Sequence, residues 1–314
     1  MKIKTSLKCS AIIPVFNSEP IVGKTIEHTE SFFRKNKLNY EIILVNDGSL
    51  DQSWNVLKKK ASQNKKIIAI NLLKNYGQHT AVYCGLKVAT GDLMITLDDD
   101  FQNPPEEIIK LIEKTQEGHD LVFGKYPDRQ HAFVRKFGSW LIDMVNNKVF
   151  IKPKDLQYSG FKIIKKEVAQ RICSYQTAYP YINGLATMFA ENPTNALVKH
   201  RKRTVGKSNY KLTTIIKLIT RILFNYSSYP LRLVTAIGMV ISALSFILGA
   251  FLLIKALLLG TTVPGWASII VFLSCTNGLM LLIISMLGEY LIRLVNQASA
   301  GDNYHIKESI NHEQ

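Results

Sequence analysis

Leu93-Met94-Ile95-Thr96-Leu97-Asp98-Asp99-Asp100-Phe101-Gln102-Asn103-Pro104-Pro105-Glu106 joins an unbroken apolar run to three consecutive carboxylates. The run reads as a strand buried on both faces, the kind that parallel sheets use. Three carboxylates at the end of such a strand repel one another and invite a cation. In extended chain Asp98 and Asp100 point the same way, and Gln102 adds one more oxygen to that face. Oxygen donors of this kind suit Mg²⁺ or Mn²⁺, which in turn would hold a phosphate-bearing ligand. Taken alone, the same residues also describe an acidic turn facing water, so the surrounding sequence has to decide.

Short apolar runs alternate with helical patterns on both sides of this stretch. Strands are expected at 10–15, 41–46, 67–71, 93–97 and 121–124, and helices at 19–34, 51–62, 78–89 and 105–116. That order predicts an α/β fold, an open and mostly parallel sheet with helices on both faces. Ligands of such sheets bind at the carboxyl ends of the strands. Pro14-Val15-Phe16-Asn17, Asn46-Asp47-Gly48-Ser49 and the three aspartates all fall on that rim. A carboxylate at Asp47 suits the imide N–H of a uracil ring. Pro14, Phe16 and Glu19 would complete a base pocket, with Phe16 giving an aromatic edge. Ser49 and Asp51 read as caps of the following helix. Gly77 and Gly85 would let backbone approach a sugar or ribose. His79 between them is a minor candidate, since a single histidine more often caps or packs. The chain has no GxGxxG and no GxxxxGK[ST], so dinucleotide and P-loop readings lack their fingerprints.

A formal net charge of +15 over 314 residues implies an anionic partner, whether nucleic acid, anionic lipid or a phosphorylated substrate. Cys9, Cys84, Cys173 and Cys275 are scattered without metal-ligand spacing and read as reduced thiols of a cytoplasmic compartment. The basic start Met1-Lys2-Ile3-Lys4 leads into no long apolar core, so a cleavable signal peptide is not expected. Toward the other end, 233–254 and 267–288 carry no charged residue. Each is long enough to cross a bilayer core of roughly 30 Å as a helix. The short connection makes them a hairpin, and cations crowd the segment before it: Arg201, Lys202, Arg203, Lys207, Lys211, Lys217, Arg221 and Arg232. Positive residues stay inside. The division expected is therefore a cytoplasmic domain at 1–211, an amphipathic juxtamembrane segment at 212–230, two transmembrane helices within 231–292, and a cytoplasmic tail at 293–314. The juxtamembrane segment suits either the surface of an anionic membrane or the flank of the globular domain.

Ile13-Pro14-Val15-Phe16-Asn17, Val45-Asn46-Asp47-Gly48-Ser49, the stretch 75–92 and Asp98-Asp99-Asp100-Phe101-Gln102-Asn103-Pro104-Pro105-Glu106 resemble the family 2 glycosyltransferases of the GT-A fold. Gly206-Lys207-Ser208-Asn209-Tyr210-Lys211-Leu212, Pro230-Leu231-Arg232, Val263-Pro264-Gly265-Trp266 and Gly288-Glu289-Tyr290 narrow the likeness. Together they are similar to the bacterial polyprenyl-phosphate (bactoprenol) branch, which is related to dolichol-phosphate mannose synthase. The resemblance implies inverting transfer of a sugar from a nucleotide sugar to undecaprenyl phosphate at the bacterial inner membrane, for modification of cell-envelope glycans such as lipopolysaccharide. UDP-glucose or another UDP-hexose is the donor expected first; GDP-mannose, or transfer to a lipid-linked glycan, is the alternative. By the same resemblance Asp47 reads the base with Pro14, Phe16 and Glu19. Asp98, Asp100 and Gln102 carry Mg²⁺ or Mn²⁺. Asp98 also touches the nucleotide, and Asp99, in place of the small residue usual there, reaches the ribose or donor sugar or simply adds charge. Arg135, Ser139, Arg201, Arg203 and Lys207 serve the acceptor phosphate and the diphosphate. One departure stands out. Gly160 occupies the position where many relatives carry a carboxylate before a Phe-Arg pair, which leaves Asp155 as the nearby acid able to orient a cation. Nucleic acid is not an expected partner. The two spans leave room for a homo-oligomer. A scaffold or nucleic-acid binder working by charge alone would give the strand-end carboxylates no purpose.

Overall fold

The computed structural model describes residues 7–126, 133–177, 179–199, 201, 212–259, 265–298 and 304–312. Five strands and four helices alternate first: β1 Lys8–Val15, α1 Glu19–Lys35, β2 Asn39–Asn46, α2 Ser53–Gln63, β3 Ile67–Leu72, α3 Gln78–Val88, β4 Leu93–Thr96, a 3₁₀ turn at Pro105–Glu107 running into α4 Ile108–Gln116, and β5 Leu121–Lys125. Then come α5 Phe133–Phe150, β6 Lys162–Lys165, α6 Lys166–Ser174, α7 Ile182–Phe189, β7 Pro193–Leu197, α8 Leu212–Tyr226, α9 Tyr229–Leu259, α10 Trp266–Ala298 and β8 Ile306–Ile310.

The eight strands form one sheet in the order β7-β5-β6-β4-β1-β2-β3-β8. β1 pairs in parallel with β2 and β4, β2 with β3, and β5 with β7. β6 runs antiparallel between β4 and β5, and β8 runs antiparallel along β3. The sheet is thus mostly parallel, as expected, with reversed strands at two places. Its central strands are apolar on both faces because helices cover both; Ala11, Ile12, Ile13, Ile42, Ile43, Leu44, Val45 and Ile95 have no exposed surface. α1 owes its place to an apolar stripe, Val22, Ile26, Phe32 and Phe33, with Pro20 in its first turn and Arg34 and Lys35 in its last.

β1 lies between β2 and β4, and the chain order reverses there: β2 and β3 extend one way, β4 the other. This switch point leaves a crevice beyond the carboxyl ends of β1 and β4, where open α/β sheets bind ligands.

α2 begins at Ser53 rather than at 51. The Asp51 carboxylate accepts the Ser53 N–H at 3.0 Å and the Glu19 N–H at 3.0 Å, which holds residues 51–52 in a turn ahead of the helix. Ser49 does not cap it either; its hydroxyl donates to Asn46 Oδ1 and accepts from the Asn17 N–H.

The chain divides into two compact units, one made of residues up to Ile219 together with those from 301 onward, the other of 220–300. The end of the chain therefore returns to the sheet of the first unit. In the second unit Tyr290 donates to the Ser227 carbonyl at 3.1 Å and packs against Phe224. Counted over described residues alone, no helix is long and apolar enough to cross a membrane.

Candidate active site

The crevice at the switch point is a cleft of about 460 Å³ lined by Pro14, Val15, Phe16, Asp47, Asn75, Gly77, Gln78, Asp98, Asp99 and Asp100. β1 delivers Pro14 and Phe16, β2 delivers Asp47, and β4 delivers the three aspartates, each just where its strand ends. A more open recess bounded by Arg34, Lys37, Tyr40 and Lys66 lies at the opposite, amino-terminal end of β2.

Asp47 is 3% exposed. Its two carboxylate oxygens accept the backbone N–H groups of Tyr76, at 2.7 Å, and Gly77, at 2.9 Å. Burial pushes its pKa up, and the two N–H bonds hold it down. Asp47 thereby pins the loop between β3 and α3 against the cleft. Gly77 sits at φ +95°, a conformation that side chains resist, and its N–H reaches Asp47 from there.

Asp98 accepts from Gln78 Nε2 at 2.8 Å and from Asn103 Nδ2 at 3.2 Å. Burial and the charge of Asp100 raise its pKa; Lys162 opposes them. Asp99 turns the other way, accepting the Phe16 N–H at 3.1 Å and the Ser18 hydroxyl. Burial lifts its pKa to about 6. The Asp100 carboxylate accepts the Gln102 N–H at 3.1 Å. Phe101 between them has φ +60°, a costly conformation for an aromatic residue. Its ring is held by His28 at 4.6 Å and by the Arg201 guanidinium at 4.8 Å. Arg201 also donates its backbone N–H to the Gln102 carbonyl at 2.9 Å, and its guanidinium stands 4.0 Å from Glu106.

The structure thus brings Pro14, Phe16, Asp47, Asp98, Asp99 and Asp100 into one cleft and sets Arg201 on the loop that follows. Glu19 and Gln102 do not line it. The Glu19 carboxylate instead accepts the Gln52 N–H at 3.2 Å. Asp155 is exposed in the loop before β6 and lies outside the cleft. Arg203 and Lys207 lie outside the described residues, as do the side chains of Arg135 and Ser139 in α5.

Lys162 was not legible as a site residue. It opens β6, is 3% exposed, and faces Asp98; burial lowers its pKa to about 8, with Asp98 acting against that. A lysine between two apolar stretches, Phe161 and Ile163-Ile164, was the available signal. Gly160 is explained by the same neighbourhood. A Cβ there would stand 2.8 Å from both Asp98 carboxylate oxygens, so Asp98 fills the space that a side chain at 160 would need.

Carboxylates held close together at raised pKa, beside a cleft, form a donor set that a divalent cation would relieve. Among the described residues no three acidic, imidazole or thiolate groups make a ready-made metal shell.

A strand-end carboxylate cluster lies at the switch point of a mostly parallel sheet, and the chain belongs to glycosyl transferase family 2, whose model matches residues 10–176. It is a glycosyltransferase of the polyprenyl-phosphate branch. It is 34% identical over 313 residues to the undecaprenyl-phosphate 4-deoxy-4-formamido-L-arabinose transferase of Yersinia enterocolitica, covering 98% of this chain and 95% of that one. Among solved structures it is similar to mannosyl-3-phosphoglycerate synthase from Rubrobacter xylanophilus, with a TM-score of 0.51, 18% identity and coverage of 69% of this chain and 72% of that one. Glucosyl-3-phosphoglycerate synthase from Mycobacterium tuberculosis, solved with Mn²⁺, UDP-glucose and phosphoglyceric acid, gives a TM-score of 0.50 at 18% identity, covering 70% and 79%. These two likenesses establish the fold as GT-A-like.

Proposed function

We propose that this protein transfers a sugar from a UDP-sugar to undecaprenyl phosphate at a membrane surface, with inversion at the anomeric carbon. The observation that carries the reading is the convergence of Phe16, Asp47 and Asp98 to Asp100 in one cleft at the sheet's switch point. Phe16 and Pro14 give the uracil ring an apolar edge, and Asp47 stands at the base end. A divalent cation would be held by Asp98 and Asp100 and would supply charge stabilisation to the departing diphosphate. The Mycobacterium tuberculosis neighbour, solved with Mn²⁺ and UDP-glucose, supports that pairing of metal and nucleotide. The Yersinia enterocolitica relative supports the acceptor and makes a formamido-pentose donor worth testing beside UDP-glucose and GDP-mannose.

In the reaction a lipid phosphate oxygen attacks the anomeric carbon, a C–O bond forms, and the bond to the diphosphate breaks with its electron pair leaving on UDP. A phosphate monoester has its second pKa near 6, so the acceptor is largely its own nucleophile at pH 7. The absence of a carboxylate at Gly160 then costs the mechanism nothing. Positioning and charge neutralisation remain the protein's task, and Arg201, Arg203, Lys207, Arg135 and Ser139 are the groups we assign to it.

The membrane reading rests on α9, with 31 residues, and α10, with 33. The uncharged runs 233–254 and 267–288 of the full sequence fall within them, and as helices rising about 1.5 Å per residue they match a hydrocarbon core of roughly 30 Å. Leu233, Ile237, Val240, Leu244, Ile247, Phe251, Ile254 and Leu258 are all exposed at helical spacing, a stripe that lipid satisfies and water does not. β8 rejoins the sheet that β1 begins, which supports an even number of crossings between the two strands.

The test is mass spectrometry of the lipid product after incubating the detergent-solubilised protein with undecaprenyl phosphate and a panel of UDP- and GDP-sugars. A lipid monophosphosugar from a UDP donor is expected. A product formed only from GDP-mannose, or only on a lipid diphosphate glycan, would overturn the assignment.

A further inference from the structure

Beyond Asp98 the cleft opens into a second cavity of about 410 Å³, reaching between β4, β6 and the first turn of α7. The two cavities share Pro14, Gln78 and Asp98. Its apolar walls include Val82, Leu97 and Ile182. Several of its polar groups are already engaged: Thr96 donates to the Gly160 carbonyl, and Gln78 donates to Asp98. Three others define what it can hold. Asn183 Oδ1 is buried without a hydrogen-bond partner. The Lys162 ammonium faces Asp98, lies 6.0 Å from the Phe123 ring centroid, and donates over long distances, 3.5 Å to the Ser159 carbonyl and 3.4 Å to that of Gly160. The His79 imidazole, packed edge-on against Tyr181 at 5.0 Å, offers one donor and one acceptor when neutral.

A buried carboxamide oxygen without a donor is costly, so it favours a ligand that brings one. An acceptor without a partner and a cationic donor with only long hydrogen bonds, set around apolar walls, match a sugar ring bearing a group that both donates and accepts. We propose that this cavity receives the sugar being transferred, and that Asn183 selects donors with a hydroxyl or acylamino group at one particular ring carbon. The proposal rests on the UDP-sugar reading above and goes further, naming the residue that discriminates among UDP-sugars. A donor with hydrogen at that carbon leaves Asn183 Oδ1 unpaired once the sugar ring has displaced the water around it, and a site built to hydrogen-bond rejects such analogues strongly.

The experiment compares kcat/KM for UDP-sugar pairs that differ only by hydroxyl or acylamino against hydrogen, taking ring carbons 2 to 4 in turn. The wild-type protein is expected to penalise hydrogen at one carbon by about 100-fold or more. Asn183→Ala should reduce that penalty to within about threefold, mainly by weakening the substituted donor, while calorimetry shows UDP binding as in wild type. Asn183→Asp, which keeps an acceptor in place, should retain most of the penalty. If Asn183→Ala does not bind UDP, Asn183→Leu, which fills the space, is read in its place. A penalty unchanged in the variants, or no ring carbon at which wild type discriminates, would overturn the proposal. Failure of wild type to bind UDP at all is a different outcome: it removes the UDP-sugar reading and this inference with it. Whether hydroxyl or acylamino is preferred follows from which pair shows the larger ratio.

Discussion

Asp98 stands just past a fully buried strand with Asp100 two residues on, and burial together with the Asp100 charge raises the Asp98 pKa. Gln78, Asn103 and Lys162 offset part of the Asp98 charge. Asp100→Asn is expected to lower kcat/KM by about 100-fold or more, as loss of one charge-stabilising group typically does. If its role is to hold the metal, part of the loss should return as Mn²⁺ is raised, and a titration of activity against Mn²⁺ measures this. Gly160→Glu offers a sharper check on how the departure at 160 is understood. Were a missing base the reason for Gly160, the glutamate would raise activity. Because its Cβ would meet Asp98 at 2.8 Å, activity should instead fall, with UDP and metal binding falling in parallel. The strand-end groups Pro14, Phe16, Asp47 and Asp98 to Asp100 were legible because each follows directly on an apolar run. Lys162 and Asn183 were not. They reach the site from β6 and α7, through pairings that no local pattern announces.

Elements that close the sheet away from the site set how firmly the site is held. At the amino ends of β1 and β2, Glu41 is 6% exposed. It accepts from Lys8 Nζ at 2.6 Å, from the Ser10 hydroxyl at 2.6 Å and from the Thr90 N–H at 2.7 Å. Although desolvation acts to raise its pKa, the bonds to Lys8, Ser10 and Thr90 prevail and lower it. The stability this contributes is fully present above the ordinary glutamate range and is lost as pH falls through the lowered value. Glu41→Gln should destabilise the protein at pH 7 by about 1–2 kcal/mol and flatten the acid side of its stability curve; thermal unfolding between pH 3 and 7 checks both. At the other edge, Asn311 Nδ2 donates to the carbonyls of Ala61, at 2.7 Å, and Ile67, at 2.8 Å, and the His305 carbonyl accepts the Leu73 N–H at 2.8 Å. Leu73 begins the loop that Asp47 pins, so removing residues 304–314 should weaken UDP binding several-fold by calorimetry. The first five strands were readable as apolar runs. β7, Pro-Thr-Asn-Ala-Leu, and β8, Ile-Lys-Glu-Ser-Ile, carry too little hydrophobic pattern to be seen, because edge positions ask only for backbone pairing.

For the molecule as a whole, the +15 charge and the uncharged runs 233–254 and 267–288 are the grounds on which we propose an anionic membrane that holds one substrate while the other arrives from solution. The protein should fractionate with membranes and resist extraction by high salt, whereas a purely electrostatic association would be released. The sheet, the switch point and the carboxylate cleft are one construction, and the central claim is that it transfers sugar to a lipid phosphate with the help of a divalent cation. The measurement that bears on it most directly is the partition of radiolabelled sugar from UDP-sugars into undecaprenyl phosphate, with Mg²⁺ or Mn²⁺ and with EDTA, for wild type and Asp100→Asn. Label should enter the lipid phase from at least one donor, vanish with EDTA and fall sharply in the variant. Label that persists undiminished in EDTA, or none from any donor by protein that binds UDP, would contradict the account.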